Sequence, residues 1–157
     1  MNWRTISVVA AAAGSAAILL GGGPLALAGL GRASSSVESD RAALGATLKS
    51  TAAAGYTVHA LTLANQGVVK EFARSNGTVF AVTWRGAARP NLQQILGEHF
   101  DVVQADNASR SSARTRQPIA VTRSDLVVRT GGHSGAFWGV AILPQQAPAG
   151  LSAESLK

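Results

Sequence analysis

Four residues carry side chains whose type and setting could do chemistry: His59, Glu71, Arg129 and His133. His59 and Glu71 stand in two neighbouring strand-like runs. Folded as a meander with a three-residue turn at Asn65 to Gly67, these runs place His59 opposite Ala73 and Leu61 opposite Glu71. His59 and Glu71 then share one face on a diagonal, within reach of a long side chain. A carboxylate there would favour the protonated imidazole, and the pair could bind a polar ligand. The plainer reading, and the one preferred here, is a solvated His–Glu contact on an open sheet face. His133 lies in Gly131-Gly132-His133-Ser134-Gly135. Glycines of this kind can turn backbone N–H groups toward an anion, with His133 or Ser134 at its centre. They also serve a hairpin turn that needs positive φ, and that is the reading preferred here. The window is neither a G-x-S-x-G elbow nor a phosphate loop followed by Lys-Ser or Lys-Thr.

Other chemistries find less support. His59, His99 and His133 are far apart, with no H-E-x-x-H pair and no cysteine, so no metal set or thiolate nucleophile is expected. No cofactor motif occurs, and no residue is assigned a catalytic role. Arg110, Arg114, Arg116 and Arg123, with Arg129 nearby, form the densest basic region. Such a cluster could contact phosphates. No aromatic residues interleave with it for stacking, so a solvated loop is expected and no nucleic-acid partner.

The elements that position these groups follow from composition and pattern. A chain of 157 residues allows one ordinary domain and can bury a core without disulfides. The net charge of +6 favours anionic surfaces in general. The apolar excess is concentrated near the start. Arg4, the run Ile6 to Leu20, the break Gly21-Gly22-Gly23-Pro24 and Ala26-Leu27-Ala28 together read as a signal peptide over residues 1–28. The run is short for a bilayer span, so no membrane anchor is expected after cleavage. Residues 29–39 are small and polar and read as a flexible leader. Residues 40–157 read as a single α+β domain.

Within that domain Asp40 to Ala53 is expected as a helix, weakened by Gly45. Tyr56 to Leu63 is a strand. Val68 to Arg85 is a hairpin around Ser75-Asn76-Gly77. A two-residue Asn76-Gly77 turn would pair Glu71 with Val82 and put an acid on the apolar face. A three-residue loop pairs Phe72 with Phe80 and Val68 with Trp84, collecting the aromatics on one side, and is preferred. Pro90 opens a second helix with Leu92, Ile95, Leu96 and Phe100 on one face. Asp106 to Gln117 is a polar loop. Ile119 to Thr122, Leu126 to Thr130 and Ala136 to Leu143 are three more strands, the last apolar on both faces and therefore central or covered. Short turns between strands make the sheet antiparallel: helix, three-strand meander, helix, three strands.

Several segments carry a family resemblance. They are Ala26-Leu27-Ala28 with Gly29-Leu30-Gly31, Tyr56 to His59, Gly67 to Phe72, Gly77 to Trp84, and Pro90-Asn91-Leu92 with Leu96-Gly97 and Phe100. Asp125 to Arg129 with Gly131-Gly132-His133, and Leu143-Pro144 with Pro148-Ala149-Gly150, complete the set. In this order the chain resembles the exported proteobacterial family catalogued as domain of unknown function 2844. The resemblance implies a small, exported, single-domain bacterial protein and implies no activity. The expectation is a periplasmic or secreted module that binds a small ligand, peptide or envelope component without catalysis. The alternatives are a small periplasmic enzyme using His133 or the His59–Glu71 pair, and a structural or accessory subunit of an envelope assembly.

Overall fold

In a computed structural model of the chain, residues 29–110 and 118–156 are described. The expected signal peptide lies outside them, as do residues 111–117 of the Arg-rich segment. The described residues open with a stretch, 29–39, that the sequence suggested would be flexible. Instead Leu30 is fully buried. Gly31 N–H donates to Val79 O at 2.8 Å, Val79 N–H to Arg32 O at 2.8 Å and Ser34 N–H to Gly77 O at 2.6 Å. One large apolar side chain and a short backbone ladder are enough to hold a segment whose composition is otherwise that of a linker.

The first helix, α1, is Val37–Leu44. Glu38 and Asp40 stand in its first turn, where acids complement the helix dipole. Gly45 ends it in the left-handed region at φ +56, and Ala46 N–H bonds back to Arg41 O at 2.9 Å. The helix expected over Asp40 to Ala53 therefore stops halfway. Its second half is a strand, β1, Thr47–Ala53. Small residues at Ala52 and Ala53 permit a helix, but a full-length antiparallel partner outweighs that weak preference.

The partner is β2, Tyr56–Thr62, and the sheet continues with β3, Val68–Arg74, and β4, Val79–Gly86. Two helices follow, α2 (Leu92–Leu96) and α3 (Phe100–Arg110), joined by a 3-10 turn. Asn91 caps α2 by accepting from Gln94 N–H at 3.2 Å, so Pro90 sits just outside the helix and not within its first turn. Ile95 and Leu96 of the expected apolar face are buried. The α3 helix runs on through Asp106 to Arg110, where a loop was expected. Then come β5 (Ala120–Thr122), β6 (Val127–His133) and β7 (Ala136–Ile142). Among the described residues the strands form a seven-stranded sheet, wholly antiparallel, in the order β1-β2-β3-β4-β7-β6-β5. The α+β class and the central place of the last strand are as the sequence indicated.

The sheet has two unlike faces. On the helix face, Leu61, Val69, Val82, Trp84, Val128 and Ala141 pack with Leu30, Ile95, Leu96 and Val103. On the other, which we call the tail face, Phe72, Phe80, Val140 and Ile142 pack under Ala153 and Leu156 of the C-terminal segment. Tyr56 adds an edge-on ring contact to Phe80, with centroids 5.9 Å apart.

The β3–β4 hairpin decides which side chain goes where. Near its loop, Ala73 pairs with Val79, in the three-residue register. Gly77 is left-handed at φ +85, as that loop requires. One residue later the ladder shifts: Phe72 pairs with Ala81, Glu71 with Val82 and Val69 with Trp84. Phe80 is the extra residue of a β-bulge, and both Phe80 and Ala81 lie on the tail face. Thus the preferred register holds at the turn and the rejected one beyond it. Phe72 and Phe80 do share a face, but Trp84 goes to the opposite one, and Glu71 goes with it.

Candidate functional site

The corrected register brings the polar groups into a row. On the helix face Ser50, His59, Glu71 and Val82 stand opposite one another on β1, β2, β3 and β4. The row continues through Ala141, Val128 and Val121, all buried. One end of it is core and the other is polar. His59 and Glu71 are therefore direct cross-strand neighbours, closer than the diagonal that the sequence suggested.

Their chemistry differs both from the solvated contact that was preferred and from the ion pair weighed against it. Glu71 is only 3% exposed, and α1 lowers Asp40, 2% exposed, onto it. Burial pushes the Glu71 carboxyl up to about 8, helped by the charge of Asp40 and a hydrogen bond to its side chain. Two buried carboxyl groups in contact hold a proton between them, because both cannot ionise cheaply. A protonated Glu71 offers no negative charge to His59. Accordingly burial lowers the His59 pKa, the reverse of the shift expected from a neighbouring carboxylate. The imidazole turns the other way: its Nδ1 lies 2.8 Å from Ser50 Oγ. Ser50 and His59 thus form a hydroxyl–imidazole contact without an ionised acid behind it, which is not the arrangement that activates a serine.

The other candidates lie elsewhere. His133 is exposed at the end of β6, with Nδ1 2.9 Å from Ser134 O. It stands five residues along and four strands across from the His59 row, roughly 25 Å away by strand spacing. The turn beside it is Ser134-Gly135 alone, because β6 continues through Gly131 and Gly132. His99 sits against Gly31, where an added Cβ would lie 3.2 Å from its Nε2. Among the described residues no group of three or more acids and histidines is spaced to hold a metal ion. Arg129 projects from the tail face and pairs with Glu154, fastening the C-terminal segment over Phe72 and Phe80. Arg123 pairs with Asp125 at 3.3 Å and Asp106 at 3.7 Å, which leaves it largely neutralised.

The tail segment covers only part of its face. Beside it a groove of about 400 Å³ opens, lined among others by Val68, Lys70, Thr83, Arg85, Trp138 and Leu156. Arg85 pairs directly with Trp138, and Lys70 with Thr83. Trp138 is 37% exposed and lies against Gly131, its cross-strand partner: a Cβ on Gly131 would come within 2.6 Å of the ring. Gly131 thus allows a large ring to rest on the sheet as part of the groove wall. Among the described residues, neither Lys70 nor Arg85 is in an ion pair.

Sequence reasoning missed Lys70, Arg85, Trp138 and Asp40. The alternation of Val68, Lys70 and Phe72 placed Lys70 on the aromatic side, and this was a usable signal. Trp138 could join it only once β7 was known to pair with β4. No helix among the described residues is long and apolar enough to cross a membrane. Comparison with curated proteins and with solved structures found no match. Over residues 26–156 the chain matches the family described as protein of unknown function (DUF2844), and it belongs to that family.

Proposed function

We propose that the chain is an exported binding module, periplasmic or secreted, which takes an anionic ligand into the open groove of the tail face. Lys70 and Arg85 supply the charge and Trp138 a broad apolar contact. The observation that carries this reading is their convergence on one groove of about 400 Å³, a volume typical of ligand sites. The row of Ser50, His59 and Glu71 does not compete with it, because a protonated Glu71 leaves His59 without a charged partner. The apolar run before Ala28 supports export.

Calorimetric titration of residues 29–157 with inorganic polyphosphate, at several salt concentrations, tests the reading. The parent should bind, with affinity falling as salt rises. The double variant Lys70→Gln, Arg85→Gln should melt like the parent and lose about two from the slope of log affinity against log salt. A parent that ignores polyphosphate, or a double variant that binds it equally well, would show that the groove is not an anion site.

A further inference from the structure

The register of the tail face says more about the ligand. Five cations stand on this side of the sheet among the described residues: Lys49, Lys70, Arg74, Arg85 and Arg129. The acid on this side is Glu154, and it is engaged by Arg129. Lys49 and Lys70 share one row with only Ala60 between them, so their strands lie ~10 Å apart. Lys70 and Arg85 stand on a diagonal of adjacent strands, ~7–8 Å apart at the backbone. Between and beside these cations the floor is hydroxyl and small: Thr47, Thr62, Thr83 and Ala60. One indole, Trp138, closes the row at Arg85.

Resting on the Proposed function, we infer that the ligand is an anionic polysaccharide with one acid group per disaccharide. The Lys49-to-Lys70 spacing is roughly that of one disaccharide, so successive acids along such a chain meet successive cations. Sugar hydroxyls meet the threonine hydroxyls, and one sugar ring lies against Trp138. The same features disfavour the two other polyanions of comparable charge. A single nucleic-acid strand carries a base at every step and is held by a series of stacking rings, whereas this groove exposes the ring of Trp138 alone, since the Trp84 side chain is buried on the helix face. A lipid surface is gripped by apolar side chains that stand proud of the protein, whereas Trp138 lies against Gly131 and Leu156 is buried.

Calorimetry at fixed salt with five probes tests the inference on residues 29–157: hyaluronan octasaccharide, neutral dextran of similar length, polyphosphate, oligothymidylate and phosphatidylglycerol vesicles. Hyaluronan should bind about tenfold more tightly than polyphosphate of equal charge, and dextran should not bind measurably. Trp138→Ala should remove the hyaluronan advantage over polyphosphate. Lys49→Gln should lower the hyaluronan salt slope by about one. Equal affinity for hyaluronan and polyphosphate, with Trp138→Ala silent, would overturn the saccharide and keep the anion site. Tighter binding of oligothymidylate or of vesicles would overturn it in favour of that class. Failure of every anionic probe would remove the saccharide and the anion site together.

Discussion

Two tryptophans sit on two glycines in adjacent rows of one sheet, and they do opposite work. Trp84 on β4 lies across Gly139 of β7 on the helix face, 5% exposed. Trp138 on β7 lies against Gly131 of β6 on the tail face, 37% exposed. In both, the missing Cβ lets a ring settle on the neighbouring strand. The helices then cover the first pair, whereas the second stays partly exposed. The same local device is core in one place and surface in the other, and the covering layer makes the difference. Charge follows the same division. The helix face buries an acid pair, and the tail face presents cations.

The comparison breaks most sharply at Trp84. Trp84→Ala should destabilise the protein by about 3–5 kcal/mol, as large-to-small changes in a core do, whereas Trp138→Ala, at a ring that is partly exposed, should cost clearly less. Denaturant melts of the two variants beside the parent check this. Equal losses would mean that the tail face is as well covered as the helix face.

The acid pair should give the next effect. Glu71 is raised from an ordinary 4.5 to about 8, so the folded state holds a proton that the unfolded chain releases. Its contribution is therefore fully present below about pH 4.5 and falls away as pH rises to about 8. A loss of a few kcal/mol across that window is expected. Glu71→Gln, which cannot ionise, should flatten the window and exceed the parent in stability above pH 8. Melting temperatures across pH 4 to 9 decide the matter; a parallel pH profile in the variant would show that Glu71 is ionised in the fold.

The smallest expected effect concerns Arg129. Its ion pair with Glu154 is half exposed, and such pairs contribute up to about 1 kcal/mol. Arg129→Ala should cost no more than that globally. It should still speed amide exchange in the tail over Phe72 and Phe80, and not on the helix face. Uniform exchange changes across both faces would mean that Arg129 does more than fasten the tail.

Much of the element order was legible in the sequence. The Tyr56 to Trp84 meander, the apolar faces of Ile95 and Leu96 and the central place of Ala136 to Leu143 followed from alternation and helical spacing. The register of β3 on β4 was not legible, because the chain uses both registers and joins them by a bulge at Phe80. Burying an acid counted against the true pairing, and the sequence gives no sign that Asp40 descends from α1 to share its proton. Asp40 reads as an ordinary helix-start residue. The strand Thr47–Ala53 was hidden because small residues suit a helix almost as well, and only β2 settles the choice. Leu30 was hidden in a polar stretch. Of the four candidate site residues, His59 and Glu71 meet, Arg129 holds the tail and His133 stands apart at a hairpin end. The groove escaped notice because it needs a strand order that no local pattern encodes.

The bulge at Phe80 and Ala81 also bears on how such a chain can change in length. Elsewhere in β4, losing one residue would exchange the faces of everything on one side of the loss. Beside the bulge it would not. Without Ala81, Val79 would still pair with Ala73 and Val82 with Glu71, and Phe80 would stand opposite Phe72. A relative one residue shorter could therefore keep both faces of the hairpin intact, provided that the gap falls here. In evolutionary terms the bulge is a place where insertion and deletion are permitted within a strand that otherwise forbids them.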